Sequence, residues 1–258
     1  MPVPDDSDCA ADAHARRIAA MFDEITPWYD KQNHIFSLGV DIWWRHCLCK
    51  EVAPSSAGST GKVLDLAAGT LDVTIALAKR YPQLQIIAAD ISAAMLKHGY
   101  EKKVHIADRA RITTLAADAR KLPLQDNCVD AVTIAFGIRN VQPRADALAE
   151  MLRVLIPGGR ACVLEFAPVR KPIIGTLYHW YVAGLMPRLS NLIRLLDRDR
   201  ADKGGSGVYE SMRYLADSIE AFPNPADFTQ ELRAAGFASV HHKALTFGLA
   251  NLHIAIKG

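Results

Sequence analysis

The amino-acid sequence predicts an α/β fold with a mostly parallel sheet. From residue 62 to residue 166, short apolar runs that suit buried strands alternate with segments of helical periodicity. The first run, KVLDL, leads into the turn AAGTL and then into a helix that opens near Asp72. Such a turn is where open α/β sheets bind ligands. The C-terminal stretch alternates as two strands around Gly248, so we expect an antiparallel hairpin there.

Composition limits the class of protein. The chain has 258 residues, of which 50% are hydrophobic and 22% charged, and this suits one globular domain. A net charge of +2 gives no reason to expect nucleic acid as a partner. The five cysteines form no CxxC pair and no zinc-like spacing, so we expect a reducing compartment and no metal site. No apolar run approaches the roughly 20 residues of a membrane span, and we expect a soluble, cytoplasmic protein.

The single predicted domain divides into five parts. We expect a disordered tail over residues 1–12, an N-terminal helical lid over 13–53, a ligand-binding core over 62–166, a helical insertion over 170–207, and C-terminal helices with the hairpin over 208–258. The segment 54–61 has the composition of a flexible linker. The aromatic residues of the second part either cover a pocket or pack an N-terminal helix pair onto the core, and the sequence leaves both open.

Within the core, each element has its own pattern. Strands are expected at 63–68, 85–90, 112–118, 128–136 and 160–166. Helices are expected at 72–81, 93–104 and 144–155, with Ser92 capping the second of them. Two more helices are expected at 209–222 and 224–236. Because strands alternate with helices, the carboxyl ends of the strands should meet at one edge of the sheet.

Two carboxylates are predicted at that edge. Asp90 ends the second strand about 20 residues after Gly69, where a doubly wound sheet places an acid that holds ribose hydroxyls. Asp118 ends the third strand and can accept from an adenine amino group. The turn AAGTLD matches the dinucleotide pattern GxGxxG poorly, so S-adenosylmethionine suits the site better than a nicotinamide cofactor.

The chain resembles the ubiquinone/menaquinone C-methyltransferase family, a group of class I S-adenosylmethionine-dependent methyltransferases. The resemblance covers about Met21 to Lys257 and rests on the segments DLAAGT, AADISAAMLKHG, ADARKLPLQDNCVDAVTIAFGIRNV, RVLIPGGRACVLEF and YLADSIEAFPNP. The N-terminal segment MFDEITPWYDKQNHIFSLGVDIWWR is similar to the same family. The resemblance implies methyl transfer to a ring carbon of a reduced polyprenyl quinol, either a naphthoquinol or a benzoquinol.

The resemblance also implies the site residues. We expect the cofactor to be bound by Asp65, Gly69, Thr70, Asp90, Ile91, Asp118, Ala119 and Ala135. Arg139 and Asn140 match the family's Arg-Asn pair, which faces the transferred methyl group. Leu71 stands where the family has glycine, and Ala135 stands where some members have serine. From the first departure we expect weakened cofactor binding, with Leu71→Gly restoring it.

C-methylation of a quinol requires a base and an oxyanion stabiliser. Arg139 stays protonated, so we expect it to stabilise the phenolate and not to accept the proton. Candidates for the base, in falling order, are His253, Tyr29 with Asp30, Tyr214 and Glu165. A histidine on an apolar strand such as LANLHIAI is also typical of a packed core residue.

The expected partners follow from the substrate. A lipophilic quinol implies peripheral contact with the inner face of the membrane, and a homodimer or a quinone-synthesis complex is compatible with the sequence. The basic, apolar insertion Arg170 to Lys203 suits either a lipid surface or a helical cover for the sheet. Two alternative functions stay open: methylation of another small aromatic or isoprenoid acceptor, and a binding role after loss of catalysis, which Leu71 would favour.

Overall fold

A computed structural model describes residues 6–26, 37, 39–52, 61–105, 108–168 and 205–258. The predicted linker up to residue 60, the candidate base Tyr29 and the predicted insertion up to residue 204 lie outside the described residues.

The described elements follow the predicted order. The helices are α1 (Asp6–Ile25), α2 (Val40–Glu51), α3 (Asp72–Arg80), α4 (Ala93–Lys103), α5 (Arg144–Val154), α6 (Gly205–Glu220) and α7 (Pro225–Ala234). The strands are β1 (Lys62–Leu66), β2 (Gln85–Asp90), β3 (Ile112–Ala116), β4 (Val129–Ala135), β5 (Leu155–Phe166), β6 (Ser239–Leu245) and β7 (Ala250–Ile256). Short 3-10 turns lie at Ile138–Asn140 and Thr246–Gly248.

The seven strands form one sheet in the order β3-β2-β1-β4-β5-β7-β6. Strands β1 to β5 pair in parallel, whereas β7 runs antiparallel to both β5 and β6. This confirms the mostly parallel sheet and the C-terminal hairpin. The strand order reverses at β1, which pairs with β2 on one side and β4 on the other, so the turn after β1 lies at the topological switch point.

Both faces of the sheet are covered. Side chains of β1 alternate, with Val63 in the cluster beneath α2 and α3, and Leu64 in the cluster beneath α5 and α7. Because a parallel sheet is buried on both faces, its strands are nearly continuous apolar runs, as the sequence predicted. Among the described residues, no helix has the length and apolar content needed to cross a membrane.

Helix ends follow their local sequence. The Ser92 hydroxyl accepts from the Met95 backbone N–H at 3.1 Å and caps α4 as predicted. Asn224 caps α7 in the same way, through the backbone N–H groups of Ala226 and Asp227. Helix α5 ends at Val154 and β5 begins at the next residue, Leu155, five residues before the predicted start of this strand. Leu155 pairs with Val129, and after a bulge the pairing with β4 resumes at Arg160 and Ala131.

The prediction of a disordered tail through residue 12 is wrong for residues 6–12, because α1 begins at Asp6. Alanine, which recurs in the helix that follows, has a high helix propensity. Asp12 also accepts from the Arg120 guanidinium at 2.8 Å, a contact between residues far apart in sequence. The tertiary contact anchors the first turns of α1 and places this helix over the sheet edge.

Candidate active site

The turn after β1 has an unusual backbone. Ala67, Gly69 and Leu71 have φ values of 51°, 53° and 71°, so every second residue lies in the left-handed region. The Gly69 backbone N–H donates to Asp90 Oδ2 at 2.8 Å, which ties the turn to the end of β2. The predicted relation between Gly69 and Asp90 is therefore a direct hydrogen bond.

Asp90 is held from both sides. Its second oxygen, Oδ1, accepts from the Ser92 backbone N–H at 2.8 Å. Burial raises the pKa of Asp90, and the backbone hydrogen bonds from Ser92 and Gly69 oppose that rise. The carboxylate is thus fixed in orientation while it still faces the pocket beside the turn.

This pocket contains about 710 Å³ of empty space, a volume that includes space open to solvent. Of the predicted cofactor residues, six lie on its wall: Gly69, Asp90, Ile91, Asp118, Ala119 and Ala135. Asn140 also lines it. One wall is formed by residues of α1 that sequence reasoning did not assign to the site, namely His14, Ala15, Ile18 and Phe22.

Asp118 is held in place by Arg120, a residue that no sequence motif indicated as part of the site. Arg120 donates to Asp118 through its backbone N–H, Nε and a terminal nitrogen, with the last at 2.6 Å from Oδ2. Burial alone would raise the pKa of Asp118, but the hydrogen bonds and charge of Arg120 outweigh it and lower the pKa. Asp118 is therefore an ionised, oriented acceptor on the pocket wall.

Two predicted cofactor residues lie outside this wall. Asp65 accepts from the hydroxyls of Thr74 at 2.6 Å and Thr133 at 2.8 Å, and burial raises its pKa to about 6. Its side chain therefore ties β1 to α3 and β4 beneath the turn. Thr70 is buried, and its hydroxyl oxygen accepts from the Lys103 ammonium at 3.2 Å.

Leu71 does not obstruct the pocket. Its side chain is 0% exposed and belongs to the apolar cluster beneath α2 and α3. Helix α4 makes room for it at Gly99, where an added Cβ would meet Leu71 Cγ at 2.9 Å. The structure thus directs Leu71 away from the pocket, so the departure from glycine does not by itself impair the site.

The two members of the Arg-Asn pair have different surroundings. Arg139 Nη1 donates to Glu165 Oε1 at 2.9 Å and also donates to the Phe136 carbonyl, so its charge is compensated inside the protein. Arg139 does not line the pocket, whereas Asn140 does. Asn140 is therefore the residue of the pair that is placed to meet a ligand.

The prediction of His253 as the base is not supported by its position. His253 lies on β7, where its Nε2 is 3.0 Å from the Pro225 carbonyl and its ring packs edge-on against Phe228. Both neighbours lie on α7, and His253 does not line the pocket, so the imidazole is a packed core residue, as the alternative interpretation expected. Strand alternation gives the face of the sheet on which His253 lies, but periodicity alone does not tell which helix packs against that face.

Helix α1 crosses the pocket and is fastened at three points. Besides Asp12 with Arg120, the His14 ring Nε2 is 3.1 Å from the Asn140 carbonyl, and Asp23 accepts from the Ser92 hydroxyl at 2.5 Å. Within the predicted N-terminal part, α1 therefore forms one wall of the pocket. Trp44 of α2 packs in the core against Phe136 and Phe166, as one of the two interpretations of the N-terminal aromatic residues expects.

Comparisons with known proteins agree with this geometry. The chain is 40% identical to the ubiquinone/menaquinone biosynthesis C-methyltransferase UbiE of Syntrophotalea carbinolica over 233 residues, covering 90% of this chain and 91% of the relative. It is 40% identical to the demethylmenaquinone methyltransferase of Thermus thermophilus over 237 residues, covering 91% and 98%.

Solved structures support the fold. A SAM-dependent methyltransferase of Thermotoga maritima superposes with a TM-score of 0.60 at 16% identity, covering 93% of this chain and 99% of the other. One from Aquifex aeolicus gives 0.55 at 16% identity, covering 83% and 89%. The model of the ubiE/COQ5 methyltransferase family matches residues 10–257, and the chain therefore belongs to that family.

Proposed function

We propose that this protein transfers a methyl group from S-adenosylmethionine to a ring carbon of a reduced polyprenyl quinol in quinone biosynthesis. The observation that carries the proposal is a family match over residues 10–257 in a chain whose pocket joins two acidic residues, Asp90 and Asp118, to Asn140. The alternatives of another acceptor and of lost catalysis have no comparable support, since the pocket is open and Leu71 is directed away from it.

The pocket residues fit an adenosine cofactor. Asp90 and Asp118 are carboxylate acceptors of fixed orientation, suited to ribose hydroxyls and to an adenine amino group. Ile91, Ala119 and Met95 give apolar surface in the same pocket, as a flat base requires. When bound, S-adenosylmethionine supplies an electrophilic methyl group.

The protein's part in the reaction is to bind, orient and stabilise charge. Loss of a hydroxyl proton makes the neighbouring ring carbon of the quinol nucleophilic and leaves negative charge on the oxygen. The Asn140 amide lies on the pocket wall and can donate to that oxygen. Arg139, which is paired with Glu165, would hold the turn that carries Asn140. Helix α1, which lines one wall, would exclude water from the pocket.

The proposal is tested with a labelled methyl donor. Purified protein is incubated with methyl-labelled S-adenosylmethionine and either reduced demethylmenaquinone or the corresponding demethylated benzoquinol. We expect label in at least one quinol and none in the oxidised quinones, because the oxidised ring lacks the hydroxyl that activates the carbon. Absence of label in both quinols, with binding of the demethylated cofactor intact, would contradict the substrate class.

Peripheral membrane contact is also part of the proposal, because a polyprenyl tail resides in lipid. Exposed apolar side chains at neighbouring positions support it: Ile42 and Trp43 on α2 and Phe247 in the turn after β6 are 59%, 50% and 76% exposed. The Trp44 indole N–H donates to the Thr246 hydroxyl at 2.8 Å, which brings the two segments together. We expect replacement of both Trp43 and Phe247 by serine to reduce co-sedimentation with anionic phospholipid vesicles; unchanged sedimentation would exclude this surface.

A further inference from the structure

We propose that Tyr214 and Ser218, one turn apart on α6, are positioning residues that hold the Arg139-Asn140 pair and aim the Asn140 amide into the pocket. The inference rests on the proposed function, since it gives the amide a role in methyl transfer to a quinol. From the sequence, Tyr214 was expected only as a candidate base, and no sequence pattern pointed to Ser218.

The contacts on α6 are specific in their direction. The Tyr214 hydroxyl donates to Asn140 Oδ1 at 3.0 Å. The Ser218 hydroxyl donates its proton to the Leu215 carbonyl at 2.9 Å, so its oxygen is left to accept from Arg139 Nε at 3.3 Å. One face of α6 therefore supplies a donor to the asparagine and an acceptor to the arginine.

The opposite side of the pair is held by β5. Glu165 is almost fully buried, and its Oε1 accepts from Arg139 Nη1 at 2.9 Å while Oε2 accepts from the Arg139 backbone N–H at 3.3 Å. The Asn140 carbonyl faces the His14 ring at 3.1 Å. The short turn Ile138–Asn140 is thus fixed from β5, α1 and α6 together, which leaves the Asn140 side chain little freedom.

These contacts determine which end of the Asn140 amide faces the ligand. Since Oδ1 accepts from Tyr214, the Nδ2 group is turned to the other side of the side chain, and Asn140 lines the pocket. Within the described part of the chain, Nδ2 makes no hydrogen bond that would occupy its two protons. A preorganised N–H donor on the wall is suited to an oxygen that gains negative charge during the reaction.

Tyr214 is better suited to this role than to that of a base. Burial raises the pKa of its phenol, and the nearby charge of Arg139 opposes the rise only in part. The group therefore keeps its proton at neutral pH and acts as a hydrogen-bond donor. Its effect on the reaction passes through Asn140, because Tyr214 itself does not line the pocket.

The main test is a double-mutant cycle in the labelled-methyl assay. We expect Tyr214→Phe to lower kcat by about ten- to a hundredfold, with the Kd of the demethylated cofactor changed by less than about threefold. In an Asn140→Ala background, Tyr214→Phe should cause no further loss of kcat, because the amide that Tyr214 positions is absent. An equal loss in both backgrounds would overturn the proposal.

Two controls separate positioning from general damage. Tyr81 is a matched tyrosine whose hydroxyl donates to the Cys49 carbonyl at 3.0 Å, away from the pocket, so Tyr81→Phe should leave kcat unchanged. Ser218→Ala should lower kcat less than Tyr214→Phe, because a second acceptor, Glu165, still holds Arg139.

A readout independent of activity distinguishes this inference from the proposed function. The side-chain amide resonances of Asn140, assigned by comparison with Asn140→Ala, should shift or broaden in Tyr214→Phe but not in Tyr81→Phe. Unchanged amide resonances in Tyr214→Phe would overturn the positioning role whatever the substrate is. A shift in a protein that methylates neither quinol would overturn the proposed function while supporting the positioning of Asn140.

Discussion

At the residue scale, Leu71 combines a strained backbone with a well-buried side chain. A left-handed conformation costs a leucine on the order of 1–2 kcal/mol relative to glycine. Removing a fully buried leucine side chain costs on the order of 2–5 kcal/mol. Burial therefore outweighs the strain, which explains how this turn keeps a leucine at a φ of 71°.

The first prediction concerns this residue and reverses the expectation from the sequence. We expect Leu71→Gly to lower the free energy of unfolding by about 1–3 kcal/mol and not to tighten cofactor binding, because the side chain stabilises the turn from behind. Denaturant unfolding and calorimetry with S-adenosylmethionine measure the two effects. Tighter binding by the glycine variant would show that Leu71 does strain the site.

A second prediction at this scale concerns pH. Burial lowers the pKa of His253 to about 4 from its usual 6.5, and its Nδ1 is buried with no hydrogen-bond partner among the described residues. The unfolded chain therefore binds this proton more readily than the folded one. The neutral, buried His253 contributes about 3 kcal/mol to the free energy of unfolding above about pH 6.5, and this contribution is lost as the pH falls towards 4.

Replacing the imidazole tests this linkage. In His253→Leu, the free energy of unfolding should fall less between pH 7 and pH 5 than in the unmodified protein, as measured by urea unfolding at both values. The comparison cancels the opposite contribution of Asp65, whose raised pKa favours the folded state as the pH falls from 6. Identical pH dependence in the two proteins would count against the buried neutral histidine.

At the scale of elements, the site depends on how closely α4 approaches the turn after β1. A Cβ added to Gly99 would lie 2.5 Å from the Thr70 carbonyl oxygen and 2.9 Å from Leu71 Cγ. The first neighbour is backbone and has little room to move. Glycine in the middle of α4 therefore lets the helix and the turn pack in direct contact.

The third prediction follows from this contact. Alanine normally stabilises a helix relative to glycine by roughly 1 kcal/mol, but we expect Gly99→Ala to destabilise the protein and to weaken cofactor binding by at least about tenfold. Thermal unfolding and calorimetry provide the measurements. Lys97→Ala, on the exposed side of the same helix, is the control and should change neither quantity.

At the scale of the whole molecule, α1 connects parts of the chain that are distant in sequence. Arg120 donates to Asp118 on the pocket wall and to Asp12 on α1, so one buried guanidinium joins the wall to the helix that crosses the pocket. Its side chain is 5% exposed, whereas that of Asp12 is 49% exposed. Dissolved ions can therefore reach the Asp12 carboxylate but not the Arg120 guanidinium.

The fourth prediction concerns the closure of the pocket. Removing the carboxylate in Asp12→Ala should speed dissociation of the demethylated cofactor by about two- to fivefold, the size expected for a half-exposed ion pair. Dissociation is measured by displacement with excess ligand. Asp217→Ala removes an exposed ion pair of α6 with Arg213 and should have no effect. The same dissociation rate in Asp12→Ala and the unmodified protein would mean that α1 does not retain the ligand.

The sequence by itself determined the order of the elements and the edge of the sheet at which the pocket lies. Parallel strands bring their carboxyl ends together, so the positions of Asp90, Asp118 and the turn at Gly69 beside the pocket were predictable from the strand pattern. Asp90 ends β2 as predicted, whereas β3 ends at Ala116 and Asp118 lies two residues beyond it. The family's segments added the Arg-Asn pair. The Ser92 cap was also predictable, because an N-cap hydrogen bond joins residues that are close together in the sequence.

Only the tertiary structure decided which side chains face the pocket. Asp65 and Asp90 both lie on strands beside the turn, yet one is tied beneath it and the other lines the wall. The placing of α1, the fixing of Asp118 by Arg120 and the aiming of Asn140 by Tyr214 join residues far apart in sequence. Helical and strand periodicity give the faces of single elements, and they contain no information on which faces meet.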